Sequence, residues 1–395
     1  MAESINPGKA PCTADVVVMG GGVIGCAVAL RLAQQRLKVA VVDRAEPGSE
    51  ASSAAAGMIA PQGEMVEFGP YFELCAVSRD LYAGFVEEVE SLAGESVGYR
   101  REGTLLVAPD EAASRELEEI YRRQQSQGLP LERLTRAAVL ERVPRLSSEI
   151  VSGVFLPGDH RVDNERLTPA VAQAASRLGV TLMTHTVVTR LNVTSGRLES
   201  IETRADSGSA TSTLSAGRFV LAAGCWSSEL VAPLGMHLPM QPCRGQMLEF
   251  ESTEELPFAV RAGHHYLVPR APRRILAGTT AEYAGFEKQV TGEGLRSILE
   301  GVMRFAPFMK QLRFQRAWAG LRPDTADHLP ILGYGGIDGL IFATGHFRNG
   351  ILLAPVTAQL IAELVVTGST SRSIEAYRPT RFNLAAAPRT AKNFS

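Results

Sequence analysis

Three glycines and one acid near the start of the chain have the types and spacing to bind a phosphorylated ligand. Gly20, Gly22 and Gly25 form the pattern GxGxxG, and Asp43 follows the next apolar run. In such a pattern the first glycine permits a tight turn, the second lets a pyrophosphate approach the backbone, and the third lets a helix pack closely on a strand. The acid can accept hydrogen bonds from a ribose diol. These four residues therefore predict a dinucleotide-binding site.

The stretches around these residues supply the elements that would position them. Residues 16–19, VVVM, form a continuous apolar run rich in β-branched valine, which is typical of a strand buried on both faces of a parallel sheet. The residues after Gly22 have a small-residue face and predict a helix, whose N-terminus attracts phosphate through free N–H groups and its dipole. Val39–Val42 predicts a second strand. Strand, turn, helix, strand and acid together are more specific than GxGxxG alone.

Residues 50–64, EASSAAAGMIAPQGE, are mostly small. This composition disfavours a strand, and it suits a backbone that lies against a flat ring system. A flexible loop is the alternative. The GxGxxG motif alone does not distinguish NAD from FAD, whereas this segment helps to do so, since a flavin supplies such a ring system.

Arg322 is the strongest candidate for holding a substrate anion. It follows the apolar run Trp318–Leu321, where its charge needs a partner, and a guanidinium fork binds a carboxylate through two hydrogen bonds. A structural ion pair with Asp324 or Asp327 explains the same residue equally well.

Composition excludes several classes of protein. The 395 residues include 40 basic and 42 acidic side chains, so no basic excess is present for nucleic acid or an anionic membrane. Hydrophobic residues make up 45%, as in packed globular proteins, and the length predicts about two domains. The five cysteines and the histidines have no spacing typical of disulfides or metal sites. We expect a cytoplasmic protein with no metal.

Five segments together resemble the D-amino acid oxidase family of FAD-dependent amine oxidases: GGGVIG, SAAAGM, FVLAAGCWS, AWAGLRP and GHFRNGIL. The resemblance covers nearly the whole chain. It implies an α/β (α+β overall) fold, with a Rossmann-like FAD-binding domain and an inserted antiparallel-sheet substrate domain. The FAD-binding domain would comprise 14–95, 160–235 and 330–385. The substrate domain would comprise 96–159 and 236–329, with loose tails at 1–13 and 386–395.

The resemblance also implies an activity. We expect oxidation of glycine, or of sarcosine or a small D-amino acid. With glycine, the products would be glyoxylate, ammonia and hydrogen peroxide. The imine formed on the way would be supplied to thiamine thiazole synthesis. The partners would be the amino acid and oxygen, and family members suggest a homotetramer. A dehydrogenase that passes electrons to another carrier is the alternative.

Site residues follow from the resemblance position by position. Arg322, Tyr266 and Arg348 would bind the substrate, although Tyr266 could be ordinary packing and Arg348 could simply pair with an acid. Ala281, where relatives have a bulkier methionine, would leave a roomier pocket. The resemblance also implies noncovalent FAD, because residues 324–335, which follow the Arg-Pro pair, contain no cysteine that could attach the flavin. The expected FAD contacts are Gly20, Gly22, Val23, Ile24, Gly25, Asp43, Arg44, Ser52, Ser53, Ala56, Gly57, Met58, Val188, Ala223, Gly224, Trp226, His346, Phe347, Arg348, Asn349, Gly350, Ile351 and Leu352.

Overall fold

The structure is a computed structural model that describes residues 12–64 and 67–384 of the chain. Its strands are β1 Cys12–Met19, β2 Val39–Val42, β3 Met58–Ile59, β4 Thr104–Ala108, β5 Glu132–Thr135, β6 Ser152–Leu156, β7 His160–Arg161, β8 Thr181–Met183, β9 Thr186–Thr194, β10 Arg197–Ala205, β11 Thr211–Leu221, β12 Met240–Glu251, β13 Ala259–Ala262, β14 His265–Arg270, β15 Arg274–Gly278, β16 Arg313–Thr325, β17 Ile331–Tyr334 and β18 Leu340–Thr344. Its α-helices are α1 Val23–Gln34, α2 Ala51–Ala54, α3 Pro61–Glu64, α4 Pro70–Ala93, α5 Glu111–Ser126, α6 Arg136–Arg142, α7 Asn164–Arg177, α8 Ser227–Val231, α9 Gly292–Phe305 and α10 Gly350–Thr367.

The first sheet carries the glycine motif. Its strands run in the order β17-β18-β11-β1-β2-β8, and β9 and β10 extend it from β11. β1 pairs in parallel with both β2 and β11, so its 16–19 run is buried on both faces, as the sequence predicts. The predicted strand β2 and the helix α1 between the two strands are also confirmed.

Apolar helices cover one face of this sheet. Helix α1 packs against α7 and α10, and α10 packs in turn against α4. Helix α10 is apolar and long enough to cross a membrane by length and composition, with a mean hydropathy of 1.8. Two-thirds of it, 67%, is buried inside the fold. Its hydrophobicity is therefore accounted for by its place in the core between α1 and α4.

The second sheet is mostly antiparallel. Its strands run in the order β16-β12-β15-β14-β13-β4-β6-β5, and β13 pairs in parallel with β4. Amphipathic helix α9 lies against β12, β14 and β15. It buries Ile298, Val302 and Phe305 in the hydrophobic core that it shares with the second sheet. The mixed α/β class expected from the sequence is thus observed.

Distant stretches of chain build each sheet. The first sheet draws its strands from 12–42, 181–221 and 331–344, and the second from 104–156 and 240–325. The two-domain division predicted from the family, with its exact bounds, stays a prediction.

One local prediction needs correction. Residues 50–64 are not a continuous loop, and they do contain a short strand. They contain one turn of helix, α2, then the two-residue strand β3, which pairs with β7, and then α3.

Candidate active site

A single cavity is lined by residues from both sheets and by the segments that join them. One part of the lining, which we call the dinucleotide wall, consists of the glycine turn, Asp43, the 51–58 segment, Val188 and residues 222–226. The other part, the charged wall, consists of Glu64, Tyr266, Arg322 and Arg348, with Met247 and Thr279 beside them.

The glycine turn leaves no room for side chains. Gly20 has φ +116°, and a Cβ there would collide with the backbone of Ala222, the residue directly after β11. A Cβ on Gly25 would collide with the carbonyl oxygen of Gly20, so this glycine allows helix α1 to pack on β1. Gly25 consequently lies behind the cavity, in the packing role that the motif assigns to its third glycine.

Asp43 lies at the end of β2, where the sequence places it. Its two carboxylate oxygens accept hydrogen bonds from Gly21 N–H at 2.5 Å and from Ala45 N–H at 2.9 Å. Burial raises the pKa of this carboxyl, against the effect of the two hydrogen bonds. Each carboxylate oxygen has a second lone pair, so Asp43 can still accept from a ribose diol.

Two side chains stack beside Asp43. The Arg44 guanidinium lies 3.7 Å from the ring centroid of Trp226 and forms an ion pair with Glu50 at 2.6 Å. A guanidinium over an indole face is a cation–π contact. It gives the dinucleotide wall a flat, polar-edged surface.

The small-residue segment lies across the start of α1. Ser52 Oγ accepts a hydrogen bond from Val23 N–H at 3.0 Å and so satisfies one of the free amides of this helix. Ala56, Gly57 and Met58 line the cavity, whereas the hydroxyl of Ser53 donates to the carbonyl of Glu50. Ser53 therefore serves the local fold of α2 and lies outside the lining.

Arg322 lines the cavity from β16 and does not form the structural ion pair offered as the alternative. Its guanidinium donates to the carbonyl oxygen of Thr280 at 3.0 Å and to Thr279 Oγ1 at 2.8 Å. The two nearby acids are engaged elsewhere: Asp324 accepts from Tyr283 and contacts His328, and Asp327 pairs with Arg381.

Arg348 lines the same wall, and it does pair with an acid. Its guanidinium lies 3.1 Å from one Glu64 oxygen, and Arg261 lies 2.7 Å from the other. Burial alone would raise the pKa of Glu64, but the charges of Arg261, Arg348 and Arg322 outweigh it and hold the pKa below its usual value. Glu64 is thus an ionised carboxylate inside the charged wall.

Glu64 and Arg261 were missed in the sequence. Glu64 closes the small-residue segment as the last residue of α3, and Arg261 lies on β13 of the other sheet. Nothing in their local patterns links them. Only the unusual presence of an acid directly after a small-residue run could have marked Glu64.

Tyr266 is buried in the charged wall, and its hydroxyl contacts Met247 Sδ at 3.3 Å. Burial raises the pKa of this phenol, so it stays protonated and able to donate. The prediction about Ala281 is wrong: Ala281 is exposed beyond β15 and does not line the cavity, whereas Met247 on β12 does.

The segment before α10 completes the lining. His346 is fully enclosed, and burial lowers the pKa of its imidazole to about 3, so it is neutral and shares a 3.1 Å hydrogen bond with Thr357. Asn349 donates to the Tyr71 hydroxyl at 3.1 Å. Leu352, which was predicted to contact FAD, points its backbone carbonyl at Ser78 and is buried one step behind the lining.

All the other predicted site residues line this one cavity. Apart from Gly25, Ser53 and Leu352, every predicted residue contributes to it: Gly20, Gly22, Val23, Ile24, Asp43, Arg44, Ser52, Ala56, Gly57, Met58, Val188, Ala223, Gly224, Trp226, Tyr266, Arg322, His346, Phe347, Arg348, Asn349, Gly350 and Ile351.

The dinucleotide wall fits FAD in shape and chemistry. The glycine turn brings bare backbone to the start of α1, a helix of 12 residues whose N-terminus attracts phosphate. Asp43 offers a carboxylate for a ribose, and Ala54–Met58 offer a wall nearly free of bulky side chains. These residues would hold the cofactor.

Comparison with known proteins agrees with this geometry. The family described as "DAO: FAD dependent oxidoreductase" matches residues 15–364. The chain belongs to this family. As a member it is an FAD-dependent oxidoreductase, which agrees with the resemblance seen in the sequence.

Individual relatives cover most of the chain. It is 33% identical to a glycine oxidase of Geobacillus kaustophilus, over 93% of this chain and 97% of the relative. The crystal structure of glycine oxidase from that organism superposes with a TM-score of 0.88 and covers 94% of this chain and 99% of its own. A "Bifunctional protein ThiO/ThiG" of Nostoc sp. is 38% identical over 90% of this chain. The chain spans about half, 53%, of that bifunctional relative's length.

Proposed function

We propose that the protein is a glycine oxidase, which converts glycine, water and oxygen to glyoxylate, ammonia and hydrogen peroxide. The observation that carries the proposal is Arg322. It lines the cavity of an FAD-dependent family member, and among the residues that the structure describes no carboxylate lies within 4.0 Å of it. The glycine oxidase relatives supply the substrate.

The side chains have separate tasks in this proposal. Arg322 binds the substrate carboxylate, since its guanidinium stays charged and is already oriented by Thr279 and Thr280. Tyr266 donates its phenol hydrogen to the same carboxylate. Arg348, held by Glu64, bounds the space beside it. With the carboxylate fixed, the carbon that bears the amine has one orientation in the cavity.

When bound, FAD would supply the two-electron oxidation of that carbon, with oxygen as the final electron acceptor. The chain's own residues need only bind, orient and exclude water. No side-chain base is required once the substrate amine is neutral. The imine that leaves the oxidation step can hydrolyse to glyoxylate or be consumed in thiazole synthesis, a role in line with the ThiO/ThiG relatives.

The wider context belongs to the same proposal. We place the enzyme in the cytoplasm as a homo-oligomer, and specifically a homotetramer, with FAD bound noncovalently. Acid precipitation should release all of the flavin into the supernatant, and gel filtration should report the number of subunits.

The test is an aerobic peroxide assay with glycine, sarcosine, D-alanine and D-proline. Glycine should give peroxide and glyoxylate in equal amounts. If glycine bleaches the flavin and reduces an added dye, but yields no peroxide in air, the alternative of a dehydrogenase is correct. If none of the four substrates bleaches the flavin, both proposals fail.

A further inference from the structure

The small-residue segment of the dinucleotide wall is held through its backbone carbonyls. Asn164 Nδ2 donates to the carbonyl oxygens of Ser52 and Ser53, both at 2.9 Å. Trp318 Nε1 donates to Ala54 at 3.1 Å. The side chains of this segment are mostly single methyl groups or hydrogens and offer little surface for packing. These hydrogen bonds therefore have to fix the position of the segment.

Arg270 completes this set and connects its members. One guanidinium nitrogen donates to the carbonyl of Ala56 at 2.7 Å and to Asn164 Oδ1 at 2.5 Å. The other donates to the carbonyl of Val162 at 2.8 Å. Arg270 is 4% exposed and lies on β14 of the second sheet, so one buried cation ties that sheet to the wall of the FAD cavity.

Gly57 shows how closely the segment is pressed onto this cation. Its φ is +70°, and an added Cβ would lie 2.7 Å from the Arg270 guanidinium and 3.0 Å from Asn164 Oδ1, besides colliding with the Val162 carbonyl. Gly57 also lines the cavity. One thin layer of backbone therefore separates Arg270 from the ligand space.

The charge of Arg270 is only loosely balanced. Its nearest carboxylate is Asp163, at 4.0 Å, and this acid already accepts from Glu165 N–H as the N-cap of α7. Burial lowers the pKa of the Arg270 guanidinium to about 10, so it remains a cation at neutral pH. Its positive charge is directed at neutral carbonyl groups.

We propose that Arg270 is a positioning residue for the flavin. Through Ala56 and Asn164, it sets the backbone of residues 52–57 in the conformation that FAD requires. A lysine at 270 would keep the charge but lose the planar fork that reaches three acceptors at once. The proposal concerns cofactor binding, so it stands or falls separately from the choice of glycine as substrate.

The experiment compares the holoenzymes of Arg270→Lys and a matched control, Arg274→Lys. Arg274, at the start of β15, lies 3.2 Å from Glu249 and 3.9 Å from Asp163 but contacts none of the four carbonyls of the segment. We would measure FAD release on dilution by flavin fluorescence, the visible spectrum of the bound flavin and its midpoint potential.

In Arg270→Lys, the Kd for FAD should rise at least tenfold, with shifts of both the flavin absorption bands and the potential. Arg274→Lys should match the wild type in all three. A wild-type Kd, spectrum and potential in Arg270→Lys would overturn the proposal, and so would a lower thermal stability with all three flavin properties unchanged, because that pattern shows a purely structural role.

A second variant covers the case in which Arg270→Lys does not fold. Asn164→Ala removes the donors to Ser52 and Ser53 and leaves Arg270 in place. It should raise the Kd for FAD and shift the flavin spectrum in the same direction. Wild-type flavin binding and spectrum in Asn164→Ala would count against the proposal by themselves.

Discussion

The two walls of the cavity are built in different ways. On the dinucleotide wall, Gly20, Gly57 and their neighbours contribute backbone, which is held by hydrogen bonds to carbonyl and amide groups. On the charged wall, Arg322, Arg348 and Glu64 contribute charged side chains, which are held by one another and by Thr279. The first wall is a surface onto which a large ligand can be laid. The second is a small set of charges that can select a small anion.

This contrast implies that cofactor binding and substrate binding can be damaged separately. Substitutions on the charged wall should change substrate or inhibitor binding and leave FAD in place. Substitutions on the dinucleotide wall should do the reverse.

The largest effect is expected from Arg322→Ala. Without Arg322, the glycine carboxylate loses its charged partner, so the KM for glycine should rise roughly a hundredfold to a thousandfold. An effect of this size is expected when one residue of a buried charge pair is truncated. Steady-state kinetics would measure this, with flavin content unchanged. Arg313→Ala, an exposed position on the same strand β16, is the control and should behave as the wild type. An unchanged KM would refute the carboxylate assignment.

Gly57→Ala tests the opposite wall. The added methyl group meets the Val162 carbonyl and needs an unfavourable φ, so FAD binding should weaken by at least about tenfold. Fluorescence of released flavin measures the loss. Gly84→Ala, on the exposed face of α4 with open space around it, should keep its FAD and gain up to about 1 kcal/mol in stability. Equal flavin retention in both variants would contradict the tight packing at Gly57.

Glu64→Gln should have a smaller effect on the charged wall. Loss of its negative charge leaves Arg261 and Arg348 less neutralised, so acetate as a competitive inhibitor should bind several-fold more tightly. Inhibition constants for acetate would measure this, with Glu300→Gln on the surface of α9 as the control. Weaker or unchanged acetate binding would show that the charge of Glu64 does not control the electrostatic potential at Arg322.

The smallest expected effect is a pH dependence from Asp159. This carboxyl accepts from Gln62 and Gly63 N–H under the charged wall, and burial raises its pKa from 3.8 to about 7. A pKa raised by folding means that the folded state binds more protons between these values, so the contribution to stability is lost as pH rises toward 7.

The thermal midpoints of the wild type and Asp159→Asn should reveal this. Relative to the variant, the wild type should lose a few degrees between pH 5 and pH 8. Because both proteins share all other titrating groups, the difference isolates Asp159. If the difference in thermal midpoint between the two proteins is the same at both pH values, the Asp159 carboxyl does not titrate between them.

The same contrast explains what the sequence could predict. Gly20, Gly22 and Asp43 were predictable because a tight turn, a close approach and a strand end each restrict the type of residue at one place in the chain. Arg322 on β16 was a candidate from its own segment, with a structural ion pair as the equal alternative, and the positions on α10 were found through the family resemblance. Ser53 and Leu352 lie in the right segments but outside the lining, because sequence proximity does not say which way a side chain faces, and Gly25 lies behind the lining in its packing role.

Other features depend on contacts between distant segments. Glu64 meets Arg261 only because β13 passes beside α3, and Arg270 reaches Ala56 only because β14 ends next to Val162. No local pattern encodes such meetings. Ala281 shows the same limit: it follows Thr279 and Thr280 directly, yet the chain turns away from the cavity there.

The pairing of β1 with β11, and of β11 with β18, has a consequence for biosynthesis. The glycine turn is translated first, but its sheet neighbours come from the middle and the end of the chain, and the cavity also needs His346 to Ile351. A nascent chain therefore cannot hold its cofactor until α10 has left the ribosome. Until that moment the apolar faces of α1 and β1 lack their partners, which makes the growing chain a natural client for chaperones.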